Sequence, residues 1–397
     1  MRKLTCGLIA LVMLGSVAAP ALADMVDDCN QREDSYRRIE GCSGIIESDR
    51  WSGKDLAIAF ESRGIAYSDL KQYERAIADY DQAILLDPDY GWTYNNRGAA
   101  YQNLGQYERA VADFDQAIRL DPRIHSAYYN RGLVFSKRGQ FERAIEDFDQ
   151  AIHLDRAFAA AFMDRGNACW DLGDLDRAIA DYDEVIRLEP DNDSAYYNRG
   201  LLHLRTGRYE RAVADYDQSI RLNPDDTWAF NDRGNAYLNL GNHDKALADY
   251  DQAIRLDPTN ATAFENRGRL YDNLGQYERA IDDYAQAIRL NPNDARVLND
   301  RGNAYGQLGR FQRAIEDFDQ AILMDPAFAI AYYNRGLAFA NLGKFERAVA
   351  DFDRMIGLVP DNVEARLYRG LSLGEPGRHR DAIAQLDEVI RLDPSRI

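Results

Sequence analysis

An Arg-Gly dipeptide returns every 34 residues, at Arg63, Arg97, Arg131, Arg165, Arg199, Arg233, Arg267, Arg301, Arg335 and Arg369, so residues 57–396 are ten copies of one unit. A period of this length calls for a stack of small supersecondary units, each too thin to bury its own apolar faces. Residues 261–294, ATAFENRGRLYDNLGQYERAIDDYAQAIRLNPND, serve as the type, and positions are counted from Ala261. Phe264, Arg267, Gly268 and Tyr271 recur at helical spacing and predict a first helix from about Thr262 to Asn273. Gly275 ends it, because a left-handed residue after a helix is cheapest as Gly; nine copies have Gly there and the first has Lys71. Ala280, Tyr284, Ala287 and Ile288 predict a second helix from about Tyr277 to Leu290, stopped by Asn291-Pro292. Gly268 is expected to face Ala280, so that the two helices approach closely. The unit is a helical hairpin and the array an all-α solenoid.

Phe264-x2-Arg267-Gly268-x2-Tyr271, then Ala280-x3-Tyr284, then Pro292, resembles the tetratricopeptide repeat family over about 340 residues. The resemblance implies a right-handed superhelix whose concave groove holds a partner protein or an extended peptide. The family usually has an apolar residue at position seven, where all ten copies here carry Arg. The Asp at position twenty-three occurs in nine copies and is Gln385 in the last. Only the last copy has no following Arg, so each Arg is expected to pair with position twenty-three of the preceding repeat, Arg267 with Asp249.

Arg2 and Lys3, an apolar run to Ala19, and Ala21-Leu22-Ala23 have the three parts of a secretory signal, cleaved after Ala23. The expected organisation is 1–23 signal peptide, 24–56 degenerate capping helices with a linker from Glu47 to Asp55, and 57–396 repeats in one elongated domain. Export predicts a periplasmic or secreted protein with no membrane span after cleavage. Residues 36–46 read as a cap helix with Cys42 on its apolar face and Cys29 on the partner helix. A Cys29–Cys42 disulfide is expected there, with two free buried thiols as the alternative, and Cys169 is expected to be free.

The 66 acidic against 48 basic residues, a net charge of −18, argue against nucleic acid as a partner. The five His residues fall at unrelated positions, without His-x3-His or Cys-x2-Cys, so no metal site, cofactor or catalytic residue is assigned. Cys169 and His203, both at position eleven, are the one pair suggestive of an enzyme, against their reading as core residues.

Positions two, five, six, nine and twelve should line the groove. Tyr129, Leu133, Met163, Trp170, Tyr197, Leu201 and Leu204 form an aromatic and aliphatic patch at these positions, accompanied by Asn130, Asp164, Asn167 and Asn198. The Asn and Asp ladder at position six either holds a peptide backbone or serves the array itself. The expected function is a protein-interaction scaffold. The alternatives are self-assembly, with weak end-to-end association through the divergent last repeat, and an enzyme centred on Cys169 and His203.

Overall fold

The computed structural model describes residues 19–375, 377 and 379–392, and among these there are 22 α-helices and no strand. The expected signal sequence lies outside the described residues up to position 18. Its predicted cleavage point falls within α1 (Ala19–Cys29). The chain divides into two compact bodies, Met1–Ala195 and Tyr196–Ile397, and each is a stretch of α-solenoid built of helical hairpins.

In the second body, the type repeat folds as Ala261–Asn273 and Tyr277–Leu290. Asn260 caps the first helix, its side chain accepting from the Ala263 N–H at 3.1 Å. Gly275 stands at φ +71°, while its N–H donates to the Asp272 carbonyl at 2.9 Å and that of Gln276 to the Tyr271 carbonyl at 2.8 Å. These two bonds satisfy carbonyls that would otherwise be orphaned, and they require the left-handed residue. In the first body Lys71 makes the same closure at φ +58°, carrying the steric cost that Gly avoids elsewhere.

The hairpin closes on a ring. A Cβ on Gly268 would lie 3.0 Å from two ring atoms of Tyr284, so the aromatic at position twenty-four, rather than the expected Ala280, faces the glycine. In the second and third repeats the ring is Phe114 or Phe148, and the carbonyls of Ala110 and Ala144 lie next nearest, at 3.2 Å. These rings are wholly buried, so an added methyl must displace a core aromatic.

This contact also fixes the partner of the repeated Arg, and it overturns the expected pairing. Arg267 donates through Nε and Nη2 to both carboxylate oxygens of Asp283, in its own repeat, at 2.8 and 2.7 Å. Its Nη1 reaches Asp251, position twenty-five of the preceding repeat, at 2.6 Å. Asp249, the expected partner, serves Arg233 at 2.8 and 2.6 Å. The reason is geometric: position eight lies over position twenty-four of the same hairpin, so position seven lies beside position twenty-three. The pattern recurs at Arg97, Arg131, Arg165, Arg233 and Arg335. Arg301, preceded by Ala285 at position twenty-five, bonds Asp317, and Arg369, opposite Gln385, keeps Asp353. The Arg267 guanidinium also lies 5.7 Å from the Phe264 ring and 5.9 Å from Tyr271, which explains how a cation occupies a place that suits Leu.

The amino-terminal cap is α1 and α2 (Ser35–Glu47), joined by the expected Cys29–Cys42 disulfide, with Cys169 free and buried. A Cβ on Gly41 would stand 2.5 Å from the Cys29 nitrogen and 2.7 Å from the Met25 carbonyl, so the two helices touch backbone to backbone. Val26, Ile45 and Ala59 complete the cap core, Ala59 coming from α3 (Gly53–Asp69). α3 begins four residues before the first repeat, so the irregular linker is shorter than the expected 47–55 and ends at Ser52. Arg63 takes Asp79 in its own repeat and, having no preceding repeat, the Ser43 hydroxyl of the cap at 3.0 Å.

Candidate functional site

The side chains expected to form a binding face are half-buried, and most are occupied within the array. In the first body, Tyr129 donates its hydroxyl to Asp164 at 2.7 Å and packs its ring 4.7 Å from Phe158 and 5.8 Å from Phe148. Asn130 donates to Asn95 at 3.1 Å, and Asn167 accepts from the Tyr182 hydroxyl at 2.8 Å. Leu133 packs beside Tyr129 over the Phe135 and Phe148 core, and Met163 against Phe162 and Ile152. Trp170 is half-buried on the same run of first helices. In the second body, Tyr197 donates to Asp232 at 2.9 Å, while Leu201 and Leu204 join it over Ala212, Tyr216 and Ala236. Asn198 is half-buried there.

Several of these bonds link neighbouring repeats. Position five of one repeat meets position six of the next, and the two side chains are chosen as a pair. Where position five is Asn, the next repeat offers an Asn amide: Asn130 to Asn95, Asn266 to Asn231 at 2.9 Å and Asn334 to Asn299 at 2.9 Å. Where it is Tyr129 or Tyr197, the next repeat offers a carboxylate, Asp164 or Asp232, whereas Tyr333 meets the edge of the Tyr368 ring at 6.0 Å. Glu61 is met by Asn96 and Thr93, both at 3.3 Å. Burial pushes the Glu61 carboxyl up to about 7, against the pull of these two donors. The position-six ladder therefore joins repeat to repeat within each body.

Two features of the face went unread in the sequence. Trp228, at position two of the sixth repeat, leaves 53% of its surface exposed. Glu265 and Asp300 occupy a five-to-six pair as two carboxylates, and burial raises both. Tabulating positions two, five and six repeat by repeat would have found both. Cys169 and His203 lie in different bodies, each buried. Burial pushes the Cys169 thiol up to about 11 and the His203 imidazole down, so neither is poised for nucleophilic chemistry. Among the described residues no group of three or more His, Cys, Asp or Glu converges as a metal site, and no helix is long and apolar enough to cross a membrane.

Family comparison matches the tetratricopeptide repeat at residues 129–187, 163–227, 231–295, 299–363 and 339–397, and again at 91–124; a TPR repeat match covers 64–105. No curated protein matches the chain. Among solved structures, the C-terminal part of a TPR repeat-containing protein from Cytophaga hutchinsonii is 19% identical, covers 59% of this chain and 96% of its own, and gives a TM-score of 0.51. A tetratricopeptide repeat protein from Parabacteroides merdae is 22% identical, covering 63% and 98%, with a TM-score of 0.49. YrrB, described as a TPR protein with an unusual peptide-binding site, is 23% identical over 46% of this chain and 93% of its own, with a TM-score of 0.42. At these identities the likeness is one of fold.

Proposed function

The chain belongs to the tetratricopeptide repeat family, and from that premise we propose that it is an exported scaffold holding a partner protein or extended peptide on the face made by its first helices. Trp228 carries this reading. An indole 53% exposed at position two of a first helix is open to a partner, and Trp is among the side chains most enriched at binding hot spots. The neighbouring hydroxyl and amide ladder keeps the helices in register, so the face is rigid before it binds. Export is inferred from the signal-like residues 1–23, and an exported scaffold meets its partner in the periplasm or outside the cell.

Affinity capture from a cell-envelope extract, with the mature protein and its Trp228→Ala and Trp170→Ala variants as baits, tests the reading. A partner retained by the parent and lost from Trp228→Ala, with helicity and unfolding unchanged, supports it. Equal recovery on all three baits removes the face from the account.

Self-association has its own observation. On the last repeat Leu371, Ile383 and Ile390 are 51%, 58% and 42% exposed, whereas Ile281 and Val349, which share a position with Ile383, are each 8% exposed. Sedimentation across a hundredfold concentration range separates this reading, which requires a rising mass, from a monomeric scaffold.

A further inference from the structure

Two polar ties recur across the joints between repeats in the second body. The first runs from the Arg at position seven to the Asp at position twenty-five of the repeat before: Arg233–Asp217 and Arg267–Asp251 at 2.6 Å, Arg335–Asp319 and Arg369–Asp353 at 2.5 Å. The second is the five-to-six pair, Tyr197–Asp232, Asn231–Asn266 and Asn299–Asn334, each at 2.9 Å. At least one of the two crosses every joint except that between the seventh and eighth repeats, where both are missing among the described residues. Ala285 stands at position twenty-five, so Arg301 bonds Asp317 of its own repeat and nothing in the seventh. Glu265 and Asp300 stand at positions five and six, two acceptors that cannot bond each other as carboxylates. Each is served from its own side, Glu265 by Arg269 and Asp300 by the Asn299 amide at 3.3 Å. Arg269 acts on Asp300 across the joint through its charge, without a bond between them. The one bond that does cross, Arg310 to Glu278 at 3.4 Å, joins side chains 50% and 64% exposed and contributes little.

Packing at the same joint is a second, independent observation. A recess of about 410 Å³ opens there, with Thr262, Glu265 and Arg269 of the seventh repeat on one wall and Arg296 and Val297 of the eighth on the other. The helix beyond it, Ala295–Gln307, carries Gly306 where Leu238, Asp272 and Ala340 stand in other repeats. A Cβ on Gly306 would meet nothing within 4 Å, so this glycine serves no close approach and only weakens its helix. What holds the joint is apolar contact, Val297 and Ala304 against Tyr284 and Ala287. Such contact is non-directional, and without directional bonds beside it two packed helices can shift on each other.

We propose that the second body bends at this joint. The repeats on either side keep their shape, because each of their joints is tied, and the first-helix face opens and closes between the seventh and eighth repeats. The hinge does not depend on what that face binds.

The test uses the full mature chain with pairs of spin labels carried on unnatural amino acids, so that the native cysteines are untouched. Labels at Ala248 and Glu316, exposed on second helices of the sixth and eighth repeats, span this joint and the tied one before it; labels at Ala214 and Asp282 span two tied joints. Pulsed dipolar spectroscopy should give a distance distribution about twofold broader for 248–316 than for 214–282. Ala285→Asp combined with Asp300→Asn supplies both ties at unchanged net charge, a carboxylate for Arg301 and an amide for Glu265, as Asn96 serves Glu61. Both introduced residues already stand at these positions in other repeats, so the variant should fold. It should narrow the 248–316 distribution to the width of the control and slow amide exchange in 295–307 by about tenfold. Equal widths for the two label pairs in the parent chain overturn the hinge, whether or not the variant folds. A distribution that stays broad in a variant of parental helicity overturns its assignment to the two missing ties.

Discussion

Arg267→Met should be among the most destabilising single changes in the second body. It leaves Asp283, whose side chain is 7% exposed, without both of its charge-assisted bonds, and an uncompensated buried charge of this kind costs about 3 to 5 kcal/mol. Asp283→Asn should cost less, about 2 kcal/mol, because Arg267 keeps Asp251 and is itself 19% exposed. Asp251→Asn should cost under about 1 kcal/mol, since that carboxylate is 41% exposed and water replaces most of what it loses. An array of repeats unfolds in pieces, so a single melting temperature would blur this ordering. Hydrogen exchange read by mass spectrometry on peptides from 277–290 gives the local opening free energy directly. Equal costs for the two aspartates, or a cost under about 1 kcal/mol for Arg267→Met, would refute the reasoning.

Lys71→Gly should stabilise the first repeat by about 0.5 to 1 kcal/mol, the left-handed strain relieved less the entropy of Gly, measured as slower exchange in 73–86. Glu61 is protonated more readily folded than unfolded, so its contribution is complete below about 4.5 and lost as pH rises through about 7. Glu61→Gln should therefore remove a pH-dependent loss of up to roughly 3 kcal/mol in the exchange of α3 between pH 5 and 8, and an unchanged profile would refute the assignment. In denaturant without reductant, an alkylating reagent should label one cysteine of the mature chain, Cys169, and three after reduction. Disrupting the Cys29–Cys42 link should cost the cap about 3 kcal/mol, read from exchange in α2.

The hairpin was legible because its determinants are local. Gly275 reports a left-handed residue, Pro292 a stop, and the spacing of Phe264, Arg267 and Tyr271 a face; none depends on where a neighbour sits. Cys29 and Cys42 were legible as a pair from export and from the cap's degraded pattern. The Arg267 partner was not, because both positions twenty-three and twenty-five are Asp in most repeats and a strict repeat supplies few exceptions from which to choose. Gln385 drew attention to the wrong interface, whereas Ala285 marks the carboxylate that reaches the next repeat. The glycine contact held the answer: once position eight is set against the ring of Tyr284, Asp283 must lie beside Arg267. The binding face was read as composition, and its residues as free to bind. Tyr129 and Tyr197 are instead tied to the next repeat, so replacing them with Ala would disturb folding and binding together.

Photo-crosslinking in cells decides whether the first-helix face meets the partner. A photoreactive amino acid is placed at Trp228, at Thr262, the exposed position two of the next repeat, and, as a control on an exposed second-helix position, at Leu323, which is 82% exposed. One common crosslinked protein is expected from positions 228 and 262 and none from 323. Crosslinking from 323 alone, or equal crosslinking from all three, would contradict it.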